Sequence, residues 1–244
     1  MPTSRGTRRL VQHAFRLLSG HDHPASFVAN TPAHLVRLLG WIDDRVPPRA
    51  KRERRHQDHM EWYCLRGYLL ALAASGQVAY PLTVRKSQSP DFLLEGPDGA
   101  VTGVEVTEAT TEAFQRELSA TEGQSGPHPI GPPEGWAGNE VERGLAAVVM
   151  ERIATKAAKI SGPHWQPATR HDLLLYHNGP WIGPDLGHVH TMVRDAIHAH
   201  PDLRDGAGEW PNGALGRVSI LSGDTLLYDV GGAGVPLPLG LGER

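Results

Sequence analysis

Two acidic residues stand where strand interiors are usually apolar. Asp91 opens the run Asp-Phe-Leu-Leu-Glu over residues 91–95, and Glu105 sits between Val104 and Val106. A carboxylate in such a setting costs free energy unless something compensates its charge. Gly96-Pro97-Asp98-Gly99 lies between the two runs and has the composition of a tight turn, so they are expected to form an antiparallel hairpin. In a hairpin an early residue of one strand meets a late residue of the next, which brings Asp91 alongside Glu105. Alternation places Glu105 on one strand face with Gly103 and Thr107, opposite Val104 and Val106. Two converging carboxylates repel each other unless a cation lies between them. Hard divalent ions, Mg²⁺ or Mn²⁺, suit an oxygen site of this kind.

The elements that would carry these acids can be read from periodicity. Thr31-Pro32 has the form of a helix start, a hydroxyl cap followed by proline, and Leu35, Leu38, Leu39 and Ile42 make its apolar stripe. Pro47-Pro48 closes it. A second helix is expected from about Pro48 or Gln57 to Ser75, with Trp62, Leu65, Tyr68, Leu69 and Leu72 inward and Gly76 past its end. The period then changes. Strands are expected at 82–85, 91–95 and 101–107, followed by a polar helical stretch to about Glu122 and a Gly/Pro-rich loop over 123–138. Asn139 caps a helix to Ile160, with Glu140 and Glu142 favourable in its first turn. Asp172 to His177 reads as a buried strand, His188 to His200 as an amphipathic helix, and 217–221 with 225–230 as a closing hairpin. The tail from Gly231 reads as irregular. The fold class is therefore α/β, with an N-terminal helical segment over 1–56 and an α/β domain over 57–244.

Pro90-Asp91, then Gly103-Val104-Glu105-Val106-Thr107, set in the order helix, three strands, helix, strand, resembles the PD-(D/E)xK nuclease (restriction-endonuclease-like) superfamily over roughly Glu61 to His177. The resemblance implies an α-β-β-β-α-β core with a mixed sheet. It also implies Mg²⁺-dependent hydrolysis of phosphodiester bonds, with Asp91 and Glu105 holding the ion and the Val106 carbonyl as a further ligand. The partner it implies is nucleic acid, DNA ahead of RNA, and a homodimer is compatible with it. The family places a lysine two residues after the glutamate; here that position is Thr107. The departure leaves two readings open, a lysine displaced to the following helix or a catalytically lapsed module that binds nucleic acid or protein.

At 100° per residue, Leu145, Val149, Ile153 and Ile160 define the buried stripe of the 139–160 helix. Lys156 falls within that stripe and Lys159 nearer its edge. A lysine aimed at a sheet needs an anionic partner, and the carboxylate pair supplies one, so Lys156 is the candidate for the displaced amine. The plainer reading is a lysine that snorkels to solvent. The resemblance also lets a first-helix glutamate, Glu61, join the metal shell, against the alternative of a solvated first-turn residue. Glu108 faces away from Glu105, and Gln115 is a weak additional candidate. Arg45, Arg49, Lys51, Arg52, Arg54 and Arg55 place six cations within eleven residues. They form a candidate phosphate-gripping surface or, more plainly, a solvated linker.

Other chemistries find little support. A formal net charge of −3 argues against nonspecific coating of nucleic acid. The single cysteine, Cys64, excludes a disulfide framework and a Cys-rich zinc site, and reads as inert core. Fourteen histidines invite a metal reading. Yet the pairs His21/His23, His188/His190 and His198/His200 are spaced by two, about 200° apart on a helix. His190, Arg194 and His198 align at helical spacing and read as a polar face; a zinc- or histidine-based hydrolase would need them instead. No Gly-x-Ser-x-Gly elbow and no phosphate-binding glycine loop occur. With no apolar run long enough for a membrane span and no evident signal peptide, a cytoplasmic location is expected.

Overall fold

The computed structural model describes residues 16–17, 24–45, 57–111, 116, 140–160, 162–177, 185–199, 215–222, 226–229 and 236–238. Its elements are β1 (Arg16–Leu17), β2 (Pro24–Ala29), α1 (Pro32–Arg45), α2 (Gln57–Ala74), β3 (Leu82–Lys86), β4 (Phe92–Glu95), β5 (Val101–Ala109), α3 (Glu140–Ile160), β6 (Arg170–His177), α4 (Leu186–Ala199), β7 (Leu215–Ser222), β8 (Leu226–Asp229) and β9 (Pro236–Pro238).

Local chemistry sets the boundaries. The Thr31 hydroxyl accepts the His34 amide hydrogen at 3.1 Å and caps α1 ahead of Pro32. α2 ends where Gly76 takes φ 69°. There the Gly76 N–H bonds the Ala73 carbonyl at 3.1 Å and the Gln77 N–H bonds that of Leu72 at 2.8 Å, the paired closure that favours glycine at this point. Gly99, at φ 79°, makes the β4–β5 turn. Asp98 supports the turn by accepting the Ala100 N–H at 3.0 Å.

The strands lie in one mixed sheet in chain order. β1 to β5 are successively antiparallel, β5–β6 and β6–β7 are parallel, and β7–β8 and β8–β9 return to antiparallel. Apolar cores cover both faces. On one, Phe27 of β2, Leu35 and Leu38 of α1, Trp62 and Tyr68 of α2, Phe92 and Val104 pack together. On the other, Leu145, Val149 and Ile153 of α3 meet Leu173, Leu175 and Val218, with Val189 and Val193 of α4. β6 feeds both cores, Leu174 into the first and its two neighbours into the second. A strand buried on both faces reads as the unbroken apolar run seen at 173–175.

Four expectations change. The N-terminal segment is not wholly helical: Pro24–Ala29 forms β2, antiparallel to β3. Its residues obey a two-residue period, with Phe27 and Ala29 buried and Val28 40% exposed between them. Phe27 then joins the core shared with α2. The tail is not wholly irregular, because β9 pairs with β8; an edge position there tolerates Pro236 and Pro238. β3 runs one residue past Arg85 to Lys86, and β5 continues past Thr107 to Ala109. The arginines and lysine at 49–55 and most of the stretch after Thr111, Gln115 included, fall outside the described residues. Arg45 is the final residue of α1. Among the described residues no helix is long and apolar enough to cross a membrane.

Candidate functional site

The β4–β5 hairpin does what its turn requires. Phe92 pairs with Val104, and one further step along that register sets Asp91 against Glu105. Both acids are 93% buried. The Val106 N–H donates to Asp91 Oδ2 at 2.8 Å. Lys156 reaches across from α3 and its ammonium pairs with Glu105 Oε1, while Glu105 Oε2 is buried with no hydrogen-bond partner among the described residues. The apolar stripe of α3 thus delivers one amine to one carboxylate.

Two more charged residues close the cluster from the other layer. Glu61, from α2, is 96% buried. Its Oε2 pairs with Lys86 at the end of β3, and its Oε1 accepts the Gln57 side-chain amide at 2.7 Å. The Lys86 ammonium also donates to the Ser87 carbonyl at 3.2 Å. It lies 3.7 Å from Asp58 and 4.9 Å from the Phe92 ring centre. Each glutamate therefore has its own lysine, whereas among the described residues Asp91 takes a backbone N–H and no ammonium.

That asymmetry sets the electrostatics. Burial, then the charge of Glu105, then that of Glu61, push the Asp91 carboxyl from 3.8 up to about 8; the Val106 N–H and Lys86 oppose the rise without cancelling it. Three buried acids face two ammoniums, and half-exposed Asp58 adds a fourth carboxylate at the rim. With every group ionised, the three buried carboxylates outnumber the two ammoniums among the described residues. Protonation of Asp91 relieves this excess, and a bound cation would do the same. The unpartnered Glu105 Oε2 and the raised Asp91 carboxyl fit such an ion. Among the described residues no group of three or more His, Cys, Asp or Glu side chains could hold a metal ion. An ion here would therefore complete its shell from water, backbone or a bound ligand, as Mg²⁺ commonly does.

The approach to Asp91 is buttressed. A Cβ on Gly103 would lie 2.4 Å from His171 Nδ1 and 2.7 Å from Pro90 Cγ, so glycine is what lets the Pro90 turn sit against β5. His171, whose pKa burial lowers, accepts the Trp165 indole N–H at 3.1 Å. The Gln166 N–H bonds the Ser89 carbonyl at 2.7 Å. The link from α3 to β6 thus clamps the residues just ahead of Asp91.

Of the residues singled out from the sequence, Asp91, Glu105, Lys156 and Glu61 come together, and Val106 contributes its N–H. Glu61 is buried rather than solvated. Thr107 is half-buried, opposite Leu175 in the ladder, and takes no part in the ion pairs. Lys159 is exposed in the last turn of α3 and stands apart. The expected polar face on α4 breaks up: His190 is buried, while Arg194 is exposed beside Asp195 at 3.7 Å. Cys64, the single cysteine, is buried.

Lys86 was not anticipated. Its signal lay in alternation, since Leu82, Val84 and Lys86 share one strand face and the first two are buried. A second buried polar group also went unread. The Tyr68 hydroxyl donates to Asp172 Oδ2 at 2.5 Å and the Arg170 guanidinium to the same oxygen at 3.0 Å. Burial pushes the pKa of both Tyr68 and Asp172 up. They line a cavity of about 180 Å³ with Leu72, Leu94 and Thr102. No protein-family model, curated protein or solved structure matches the chain.

Proposed function

We propose that this protein is a metal-dependent nuclease of the PD-(D/E)xK, restriction-endonuclease-like kind, acting on phosphodiester bonds of nucleic acid, DNA ahead of RNA. The observation that carries the reading is the Lys156 ammonium on Glu105, beside Asp91. The amine absent from the strand at Thr107 is supplied from α3. The succession α2, β3, β4, β5, α3, β6 has the order of that superfamily's core and supports the same reading.

Asp91, Glu105 and the Val106 carbonyl would hold Mg²⁺ or Mn²⁺, which would polarise a phosphate and lower the pKa of a bound water. The chain's own groups do the rest. Lys156 holds a positive charge next to Glu105, where it can orient the attacking water or offset charge developing on the phosphate. Val106 fixes one Asp91 oxygen and leaves the other for the ion. Burial of all three acids lowers the local dielectric and keeps their field strong.

The test is direct. The full chain is incubated with DNA and RNA, with Mg²⁺ or Mn²⁺, beside Asp91→Ala and Lys156→Ala. Cleavage by the wild type, lost in both variants and with a chelator, is the expected result. Cleavage that survives both substitutions refutes the assignment. A domain that bound nucleic acid without chemistry would retain binding and show no ion-dependent stabilisation.

A further inference from the structure

The cavity beside Tyr68 has a buried floor and an exposed mouth. Leu69 and Leu72 of α2, Leu82 of β3, Leu94 of β4 and Asp172 of β6 make the floor. Gln77, Ala79, Ala100 and Arg170 stand exposed around the mouth. Asp172 is 1% exposed, and its Oδ1 has no hydrogen-bond partner among the described residues. The Tyr68 hydroxyl and the Arg170 guanidinium both donate to its other oxygen, Oδ2. A carboxylate accepts at about four lone-pair positions, so the group has capacity left. Arg170 carries five N–H donors and keeps 46% of its side chain exposed. One wall of the cavity thus offers an acceptor and a donor side by side. Charge narrows the choice of ligand. Arg170 balances Asp172, and Arg217 adds a positive charge felt by both Asp172 and Tyr68, which disfavours a cation. Asp172 on the floor and Asp98 at the rim disfavour an anion.

We propose that this cavity binds a small uncharged cyclic amide by its N–H and C=O edge, the N–H donating to Asp172, the C=O accepting from Arg170, and the ring lying against Leu69, Leu72 and Leu94. At about 180 Å³ the space falls below the roughly 300 Å³ at which pockets for drug-sized ligands begin, so it suits a single ring. A ring without the N–H would desolvate Asp172 and return no hydrogen bond, so the edge discriminates. The same chemistry is offered by free lactams and by the thymine or uracil bases of a nucleic-acid strand. The cavity is separate from the acid cluster: Leu94 and Thr102 lie toward the β4–β5 turn, whereas Asp91 and Glu105 lie at the other end of the hairpin.

The test is ligand-observed NMR titration of the full-length chain in chelator. The probes are α-pyridone as the cyclic amide, N-methyl-α-pyridone as the same ring without its N–H, and benzamidine as a cation of similar size. α-Pyridone should bind saturably with a Kd on the order of 1 mM or tighter, and N-methyl-α-pyridone at least about tenfold more weakly. Arg170→Met, at an exposed position, and Asp172→Asn should each weaken α-pyridone at least about fivefold; the arginine variant carries the test if the asparagine variant does not fold. Displacement of α-pyridone by oligothymidylate assigns the site to a base on a strand, and no displacement assigns it to a free small molecule. Absence of saturable α-pyridone binding, equal binding of the two pyridones, undiminished binding by Arg170→Met, or tighter binding of benzamidine overturns the proposal. With no metal present, each of these results leaves the reading of Asp91 and Glu105 untouched.

Discussion

Asp91→Asn should make the metal-free protein more stable at pH 8, although it replaces a buried, hydrogen-bonded carboxyl. The Asp91 carboxyl titrates near 3.8 when unfolded and is raised to about 8 in the fold. Between those values the native state holds a proton that the unfolded chain has released. The stability this contributes is complete below about pH 4 and is lost progressively as pH rises toward 8. At about 1.4 kcal/mol per unit, the loss between pH 4 and pH 7 amounts to at most about 4 kcal/mol. The asparagine oxygen still accepts the Val106 N–H, and the amide does not titrate. The variant should therefore lack this slope, gaining on wild type by roughly 2–4 kcal/mol at pH 8 and by little at pH 5. Urea denaturation of both proteins in chelator, from pH 5 to 9, measures the difference directly. The groups common to both, including His171 and His177, whose pKa values burial lowers, cancel in the subtraction. Parallel stability curves across that range would refute the argument that Asp91 is the uncompensated acid.

Mg²⁺ should stabilise the wild type more at pH 8 than at pH 6, because at the lower pH the ion competes with the Asp91 proton; thermal melts at fixed ion concentration read this out, and an equal gain at both pH values counts against an ion at Asp91. Lys156→Met leaves buried Glu105 without its ammonium and should cost about 2–4 kcal/mol in chelator, measured by urea midpoint, with activity falling at least about 100-fold. Gly103→Ala drives a methyl group into His171 and Pro90; a loss of about 2–3 kcal/mol is expected by urea midpoint, together with weaker Mn²⁺ binding as Pro90 displaces Asp91. Tyr68→Phe removes a donor from buried Asp172 and should cost about 1–3 kcal/mol by denaturation with no change in Mn²⁺ affinity.

The parts of the site that were legible came from local rules. The turn at 96–99 fixes which residues of two short strands face each other, so the pairing of Asp91 with Glu105 follows from counting. Lys156 could be found because the Leu145, Val149 and Ile153 stripe continues onto it at a constant angle. Glu61 could be placed on a helix but not in depth, since its burial depends on where α2 docks. Lys86 was missed by a single residue, because a strand ended at Arg85 hides the inward turn of the next side chain. β2 escaped for a related reason: the strong helix start at Thr31-Pro32 drew the reading of the whole N-terminal segment. Tyr68 and Asp172 lie 104 residues apart in the chain, and no period or turn links them. Only docking of α2 on the sheet does so.

The acids and amines of the cluster come from three different layers. Glu61 belongs to one outer helical layer, Lys156 to the other, and Asp91, Glu105 and Lys86 to the sheet between them. The cluster is thus a rivet, with Glu61 on Lys86 joining one helical layer to the sheet and Lys156 on Glu105 joining the other. A cation seated there should slow amide hydrogen exchange in α2 and α3 together, two helices on opposite sides of the sheet.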